Sequence, residues 1–239
     1  MPIAIVTGAS RGLGLALSRE LVGRGWSIVI DATGPAGLRA AERALRQAVA
    51  PGASLVALAG DVAEARHRAH LCAAAAGLGG LDLLVNNASV LGPSPLGPLA
   101  RFPLSELARV YEVNVLAPLA LIQQAAGLLR QAADPVIVNV TSDAAVEHYE
   151  GWGGYGSSKA ALDHLSGTVA AEEPRFRVLA VDPGDMRTEM HQAAFPGEDI
   201  SDRPLPETVA PAIVGLIESG ATSGRYRVAD VPAESGLPA

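Results

Sequence analysis

The feature that most constrains this chain is its regular alternation of two kinds of segment. Short apolar runs occupy 3–6, 27–30, 54–57, 81–85, 136–140 and 177–181. Between them lie longer stretches with helical periodicity, at 13–23, 37–49, 64–77, 105–132 and 155–171. Strands that alternate with helices pair in parallel through right-handed crossovers. A parallel sheet carries helices on both faces, so its strands read as continuous apolar runs, as these do. A last helix over 206–219 precedes a short apolar segment at 225–228, a candidate seventh strand. The expectation is an α/β fold with a doubly wound parallel sheet.

Composition narrows what such a fold can do. A chain of 239 residues suits one large domain with a substantial core. Hydrophobic residues make up 49% and aromatics 4%, so alanine, leucine and valine must fill that core. A net charge of -7 with scattered basic residues offers nucleic acid no general attraction, so no nucleic-acid partner is expected. The single cysteine, Cys72, excludes an internal disulfide and reads as a small packing residue on an alanine-rich helix. No apolar run reaches membrane-spanning length free of Gly, Pro or charge, and residues 1–6 lack a signal-peptide pattern. No membrane partner is expected, and a cytoplasmic location is the default reading. Two loops, 90–98 and 195–206, are rich in Pro and Gly. Such loops beside a rigid sheet serve substrate recognition or plain connection, and both readings stay open here.

The first apolar run leads directly into Thr7-Gly8-Ala9-Ser10-Arg11-Gly12-Leu13-Gly14, and a helix follows. Close approach of a pyrophosphate to the backbone leaves no room for side chains, and a helix N-terminus adds unpaired N–H groups. Gly8, Gly12 and Gly14 meet those needs, although tight packing alone can also demand glycine. Asp61-Val62 follows the third run, where Asp suits either an adenine amino group or a helix N-cap. Asn86-Asn87-Ala88 follows the fourth run, where amides suit a cofactor's sugar-phosphate or an Asx-turn. These positions share successive strand ends, the edge where ligands bind in such sheets.

A second constellation lies further on. Tyr155 and Lys159 are four residues apart and share one helix face. A free tyrosine, with a pKa of ~10, is a poor base at neutral pH. A nearby lysine cation favours the phenolate, and a shift of about three units needs about 4 kcal/mol. Ser142 ends the fifth run, where its hydroxyl can polarise a carbonyl that Tyr155 protonates. Asn114 lies inside the long helix, where a buried amide requires partners. A water held there by backbone or side chain would link Lys159 to solvent. Alone, each residue has a plain structural reading. Their order along the chain is what makes the set specific.

That order resembles the short-chain dehydrogenase/reductase family in its compact single-domain form. The resemblance rests on the glycine-rich segment 7–14, Asp61, Asn86-Asn87-Ala88, Asn114, Ser142, Tyr155 and Lys159, and on Asp182-Pro183-Gly184 with Thr188. It implies a Rossmann-type sheet of seven parallel strands and one NAD(P)-binding domain over 1–239, with substrate loops 89–98, 143–154 and 185–206. It also implies hydride exchange between a nicotinamide cofactor and a small carbonyl or alcohol. Tyr155 would be the acid/base, Lys159 would hold the ribose and tune Tyr155, Ser142 would orient the substrate and Asn114 would support the relay. Gly8, Ser10, Arg11, Gly12, Leu13, Gly14, Asp61, Val62, Asn87, Ala88, Pro183, Gly184 and Thr188 would contact the cofactor together with Tyr155 and Lys159. Pro183, Gly184 and Thr188 correspond to the segment against the nicotinamide. No catalytic metal is expected, because the five histidines show no ligand-like pairing. A homodimer through helices 105–132 and 155–171, or a homotetramer, is implied as well, with the tail 232–239 considered for a second interface.

The chain departs from the family pattern in two places. Ser89 stands where glycine usually follows Asn-Asn-Ala, and it adds bulk and a hydroxyl beside the cofactor. At the end of the second strand, Ala32 falls where NAD-selecting members carry an acid, and the neutral Thr33 falls where NADP-preferring members carry arginine. Asp31, one residue earlier, is expected to point away from the pocket, while Arg11 and Arg39 can attract a phosphate. The balance points to NADP(H). The loop residues His148, Tyr149 and Trp152 and the lid residues Met186, Met190, His191 and Phe195 suggest a partly apolar substrate site. Two other readings use the same fold: a non-catalytic NAD(P)-sensing protein, and an epimerase or dehydratase. The latter resemble longer chains than this one.

Overall fold

The computed structural model describes residues 1–231, and the tail considered for a second interface lies outside them. Seven strands form one parallel sheet: β1 (Ile3–Val6), β2 (Ser27–Ala32), β3 (Leu55–Ala59), β4 (Leu83–Asn86), β5 (Val136–Val140), β6 (Arg177–Asp182) and β7 (Gly224–Arg227). Their order is β3-β2-β1-β4-β5-β6-β7. The chain winds outward from β1 in one direction, then crosses to β4 and winds outward in the other. The crevice at the carboxyl ends of β1 and β4 is therefore the topological switch point, where ligands bind in open parallel sheets.

Helices cover both faces, as the apolar runs predict. They are α1 (Gly12–Gly23), α2 (Pro35–Arg46), α3 (Ala65–Leu78), α4 (Leu104–Tyr111), α5 (Ala117–Leu129), α6 (Gly153–Glu172), α7 (Glu189–Ala194) and α8 (Pro206–Glu218). Alternate strand residues feed opposite layers. Ala4 and Val6 pack with Leu17 of α1, Leu45 of α2 and Ile213 of α8. Ile3 and Ile5 pack with Leu71 of α3, Leu121 of α5 and Val169 of α6. Pro35 and Pro206 open α2 and α8, where the missing N–H removes a donor that has no intrahelical partner. β7 is the exposed edge: its sequence Gly-Arg-Tyr-Arg is solvated where the inner strands are not.

Three sequence expectations are adjusted. The second strand runs on to Ala32, so Asp31 and Ala32 both lie in the sheet. The long helix starts at Leu104 and ends at Leu129, and it is interrupted by a π-helical turn over Glu112–Leu116 that separates α4 from α5. Although Leu104–Leu129 is long and apolar enough to cross a bilayer by length and composition, half of the qualifying window is buried inside the protein.

Candidate active site

The glycine-rich segment leaves β1 and turns into α1 through two residues of positive φ, Gly8 at 67° and Gly12 at 55°. A side chain at Gly8 would place its Cβ 2.8 Å from Ala88 Cα. Among the described residues beyond its chain neighbours, the one atom within 4 Å of a Cβ at Gly12 is Thr188 Cγ2, at 3.7 Å, so the space in front of this turn is open. Gly14 meets a different need: a Cβ there would lie 2.4 Å from Gly8 O and 2.5 Å from Asn87 Nδ2. Arg11, the residue preceding α1, makes no side-chain cap. The first N–H groups of α1 and its positive dipole end are left for an anion.

The loop is fastened from behind. Asn87 Nδ2 donates to Thr7 O at 2.8 Å and to Gly8 O at 3.2 Å. Thr7 Oγ1 donates to Val85 O and accepts from the backbone N–H groups of Asn87 and Ala88. Asn86 Nδ2 reaches inward to Asn139 Oδ1 at 2.8 Å. Neither amide makes the Asx-turn considered for it; both tie β4 to its neighbours. The Asp31 carboxylate, 1% exposed, lies under the loop: Oδ1 accepts from Gly8 N at 2.7 Å and Oδ2 faces His67 Nε2 at 2.8 Å. Asp31 therefore lines the cleft beneath the phosphate loop instead of pointing away from the pocket as side-chain alternation led us to expect, because its carboxylate turns toward Gly8 N and His67. Burial raises its carboxyl above the usual range, and the bonds from His67 and Gly8 oppose that shift.

Asp61 does not cap α3, which begins at Ala65 after Glu64. Its Oδ1 accepts from Ala63 N at 2.9 Å in an Asx-turn, and its Oδ2 pairs with Arg109 of α4. Ser142 closes β5 and accepts from Ala144 N at 3.2 Å, capping a single turn over Asp143–Ala145. Its hydroxyl donates to Asp143 Oδ1 at 2.9 Å. Helix α6 packs closely on that turn, because Gly156 leaves room where a Cβ would stand 2.5 Å from Ala144 O.

On α6, Tyr155 and Lys159 share the buried face, with Lys159 Nζ 5.5 Å from the Tyr155 ring centroid. Lys159 Nζ donates to Val140 O at 2.8 Å. Burial lowers its pKa to about 8, and Asp163 opposes the shift. Burial also holds the Tyr155 phenol well above its usual range; Asp182 and Asp143 push it the same way, while the hydroxyls of Ser89 and Ser142 pull it back. The protein alone therefore keeps Tyr155 as a neutral phenol.

Asn114 sits in the π-helical turn and is fully buried. Its amide is saturated: Oδ1 accepts from Val90 N and Ser89 Oγ, and Nδ2 donates to Val90 O and Ser158 Oγ. The side chain thus has no donor or acceptor free for the water considered above, which leaves only the backbone for that role.

These groups border one cleft of about 840 Å³ along the carboxyl edge of the sheet. Every residue expected at the site lines it except Gly14 and Asn114, which lie behind its wall. Arg39 and His148 do not line it. Two of its lining residues hold buried polar atoms with no partner, Thr141 Oγ1 and His191 Nε2. With the uncapped α1 and the opening before Gly12, these orphans fit an extended ligand with an anionic centre, as a nicotinamide dinucleotide has.

The far wall is apolar and aromatic. The Trp152 ring lies 5.8 Å from Tyr155, edge-on, and 6.0 Å from Phe195, which packs 4.9 Å from His191. Met186 and Met190 complete it from the segment around α7. Thr188 caps α7 by accepting from His191 N at 3.1 Å, and Arg11 pairs with Glu189 across the mouth. Sequence reasoning quoted Thr7 without giving it a role, and it missed His67, Arg109 and Thr141. Thr7 alone left a local signal, as the hydroxyl that opens the glycine-rich turn.

Comparison with known proteins agrees with this geometry. The profile described as short chain dehydrogenase matches residues 2–199. The chain is 35% identical over 206 residues to sepiapterin reductase of Meriones unguiculatus, covering 80% of this chain and 77% of that one. It is 32% identical over 191 residues to a diacetyl reductase [(S)-acetoin forming] of Staphylococcus epidermidis, covering 78% and 72%. Its fold superposes with a TM-score of 0.83 on an alcohol dehydrogenase from the archaeon Thermococcus sibiricus complexed with 5-hydroxy-NADP, at 26% identity and covering 95% of each chain. The chain belongs to the short-chain dehydrogenase/reductase family, and is an oxidoreductase of alcohol and carbonyl groups.

Proposed function

We propose that the protein is an NADP(H)-dependent reductase of a small carbonyl compound, with Tyr155 as its acid/base. The observation that carries this reading is that Ser142, Tyr155 and Lys159 line one cleft together with the glycine-rich turn. When bound, the nicotinamide cofactor supplies or accepts the hydride. Ser142 orients the carbonyl oxygen by hydrogen bonding, and Tyr155 Oη donates the proton to that oxygen in reduction or takes it back in oxidation. Lys159, charged below about pH 8, holds the ribose and offsets the burial, and with it the nearby carboxylates, that keep Tyr155 neutral. Asn114 fixes the π-helical turn and the strand β4 loop against α6.

The phosphate loop and the end of β2 support NADP(H). The Asp31 carboxylate is engaged by Gly8 and His67, so it is not offered to ribose hydroxyls. Ala32 and Thr33 add no charge at the cleft, which Asp31, held by those two bonds, and Arg11, paired with Glu189, both border. The alcohol dehydrogenase named above was solved with an NADP derivative, which agrees. Loops 89–98, 143–154 and 185–206 form the substrate side, and the apolar wall of Trp152, Phe195 and Met190 suits a compact, partly apolar substrate such as a diketone or an aromatic ketone. Leu116, exposed on the helical run 105–132 read as a dimer face, supports a homodimer or homotetramer.

The test is a spectrophotometric panel of ketones, vicinal diketones, quinones and β-ketoacyl thioesters, run with NADPH and with NADH. Turnover with NADPH preferred is expected. Tight NADPH binding with no turnover over the panel would replace this reading with that of a cofactor-sensing protein.

A further inference from the structure

One side chain of the edge strand β7 reaches back to the site. Arg225 lies beyond residues 2–199, which the family profile matches, and its guanidinium spans three elements. Nε donates to Asp163 Oδ2 of α6 at 3.0 Å, and Nη2 donates to the backbone oxygen of Ser142, after β5, at 2.9 Å. Nη2 also lies 3.4 Å from Asp182 Oδ2 at the end of β6. Ser142 stands just past the β5–β6 ladder, whose last bond runs from Thr141 N to Val181 O. Its backbone oxygen has one further donor, Ala145 N at 3.1 Å, which belongs to the same single turn. Arg225 is thus the donor that reaches this oxygen from outside the turn. We infer that Arg225 is a positioning residue for Ser142, whose backbone carbonyl it anchors to the helix that carries Tyr155 and Lys159. The inference rests on the proposed role of Ser142 in orienting the substrate carbonyl.

The Ser142 hydroxyl takes its direction from the turn it opens. It accepts from Ala144 N at 3.2 Å and donates to Asp143 Oδ1 at 2.9 Å, so a shift of the turn moves the group that meets the substrate. Asp163 lies one helical turn on from Lys159, and Lys159 Nζ donates to Val140 O at 2.8 Å. The end of β5 is therefore held on two alternate carbonyls, Val140 by Lys159 and Ser142 by Arg225, and both cations are fixed to α6. Holding Asp163 and Ser142 at once suits a rigid fork of donors, which a single ammonium does not provide. Replacing Arg225 exposes a cost in stability as well. Asp182 is 2% exposed, and Asp163 Oδ1 is already buried with no partner among the described residues. Asp182 nonetheless keeps Gly184 N at 3.0 Å and Arg227 Nε at 3.7 Å, so the Pro183-Gly184 segment retains its anchor without Arg225.

The test is a double-mutant cycle of Arg225→Met and Ser142→Ala, with a second readout that needs no substrate. The first readout is kcat/KM with NADPH and the best carbonyl from the panel above. Ser142→Ala is expected to lose about a hundredfold. Arg225→Met is expected to lose about tenfold, the effect of one hydrogen bond from a charged donor, with the NADPH dissociation constant within about twofold of wild type. In the Ser142→Ala background, Arg225→Met should cost less than about twofold, because the hydroxyl it positions is gone. The second readout is amide hydrogen exchange in the free protein. Exchange at Ala144 and Ala145 should rise about tenfold in Arg225→Met, while the amides of β5 keep their protection. Arg225→Lys keeps a positive charge beside both carboxylates and so guards the fold; without the fork it should follow Arg225→Met in both readouts. Additive losses in the cycle, or turn amides that exchange at the wild-type rate in both Arg225 variants, overturn the inference. Full turnover by Ser142→Ala is a different failure: it removes the proposed role of Ser142, and the inference falls with it. If no carbonyl turns over, the reading of the protein as a reductase of such substrates fails, and exchange at the turn still decides whether Arg225 positions Ser142.

Discussion

Replacing Asp31 with alanine would remove a buried carboxylate that bonds the buried His67 imidazole and the Gly8 N–H and has no contact with the reacting centre. Gly8 N–H and His67 Nε2 would lose bonds of 2.7 and 2.8 Å in a site where Asp31 is 1% and His67 5% exposed. The imidazole is tightly held on its other side, where a Cβ at Gly60 would lie 2.2 Å from His67 Nδ1. Breaking a buried pair by deleting one partner costs about 3–5 kcal/mol. In a chain of this size each kcal/mol lowers the melting temperature by about 2–4 °C, so a fall of about 6–20 °C is expected. Asp31→Asn should behave differently. Its carbonyl still accepts from Gly8, and its amide donates to an imidazole in the other tautomer, so about 1 kcal/mol is lost. Because Gly8 is part of the phosphate turn, Asp31→Ala should also weaken NADPH binding about tenfold, whereas Asp31→Asn should keep it. Scanning calorimetry with and without NADPH reads both quantities. An alanine variant that melts within about 2 °C of wild type would refute the claim that this pair fastens the loop.

Two further outcomes follow from the same geometry. Gly14→Ala forces a Cβ to 2.4 Å from Gly8 O and 2.5 Å from Asn87 Nδ2. Thermal unfolding should show an overpacking cost of about 2 kcal/mol, and fluorescence titration should show weakened NADPH binding. Lys159, with its pKa lowered to about 8 by burial, is cationic below that pH and neutral above it. Affinity for NADP+ should therefore fall as pH rises through about 8, and Lys159→Met should remove that pH dependence in a binding titration; a wild-type affinity that stays flat would contradict the role given to the ammonium.

Much of the fold was legible because burial on both faces writes itself into the strands. The run 3–6 is wholly buried, and β5 matches its expected bounds to the residue. The π-helical turn around Asn114 was not legible, since Val113-Asn114-Val115 fits helical periodicity with or without one extra residue in the turn. At the site, the glycines and the Tyr155–Lys159 spacing are local patterns, so sequence placed them together. Partners from distant elements were not visible. His67 meets Asp31 only because α3 folds back against the end of β2, and Arg109 of α4 meets Asp61 across 48 residues of chain. The structural readings offered for Asp61 and Asn87 failed for different reasons: Asp61 makes a local Asx-turn before α3 begins, and Asn87 spends its amide on the backbone of the phosphate loop, 80 residues away at Thr7.

The account rests on proton transfer by Tyr155. Tyr155→Phe retains the ring that packs edge-on against Trp152 and removes only the hydroxyl. With NADPH and the best carbonyl from the panel, kcat/KM should fall by at least about a hundredfold while the NADPH dissociation constant stays within about twofold of wild type. Full turnover by this variant would contradict the assignment of Tyr155 as the acid/base.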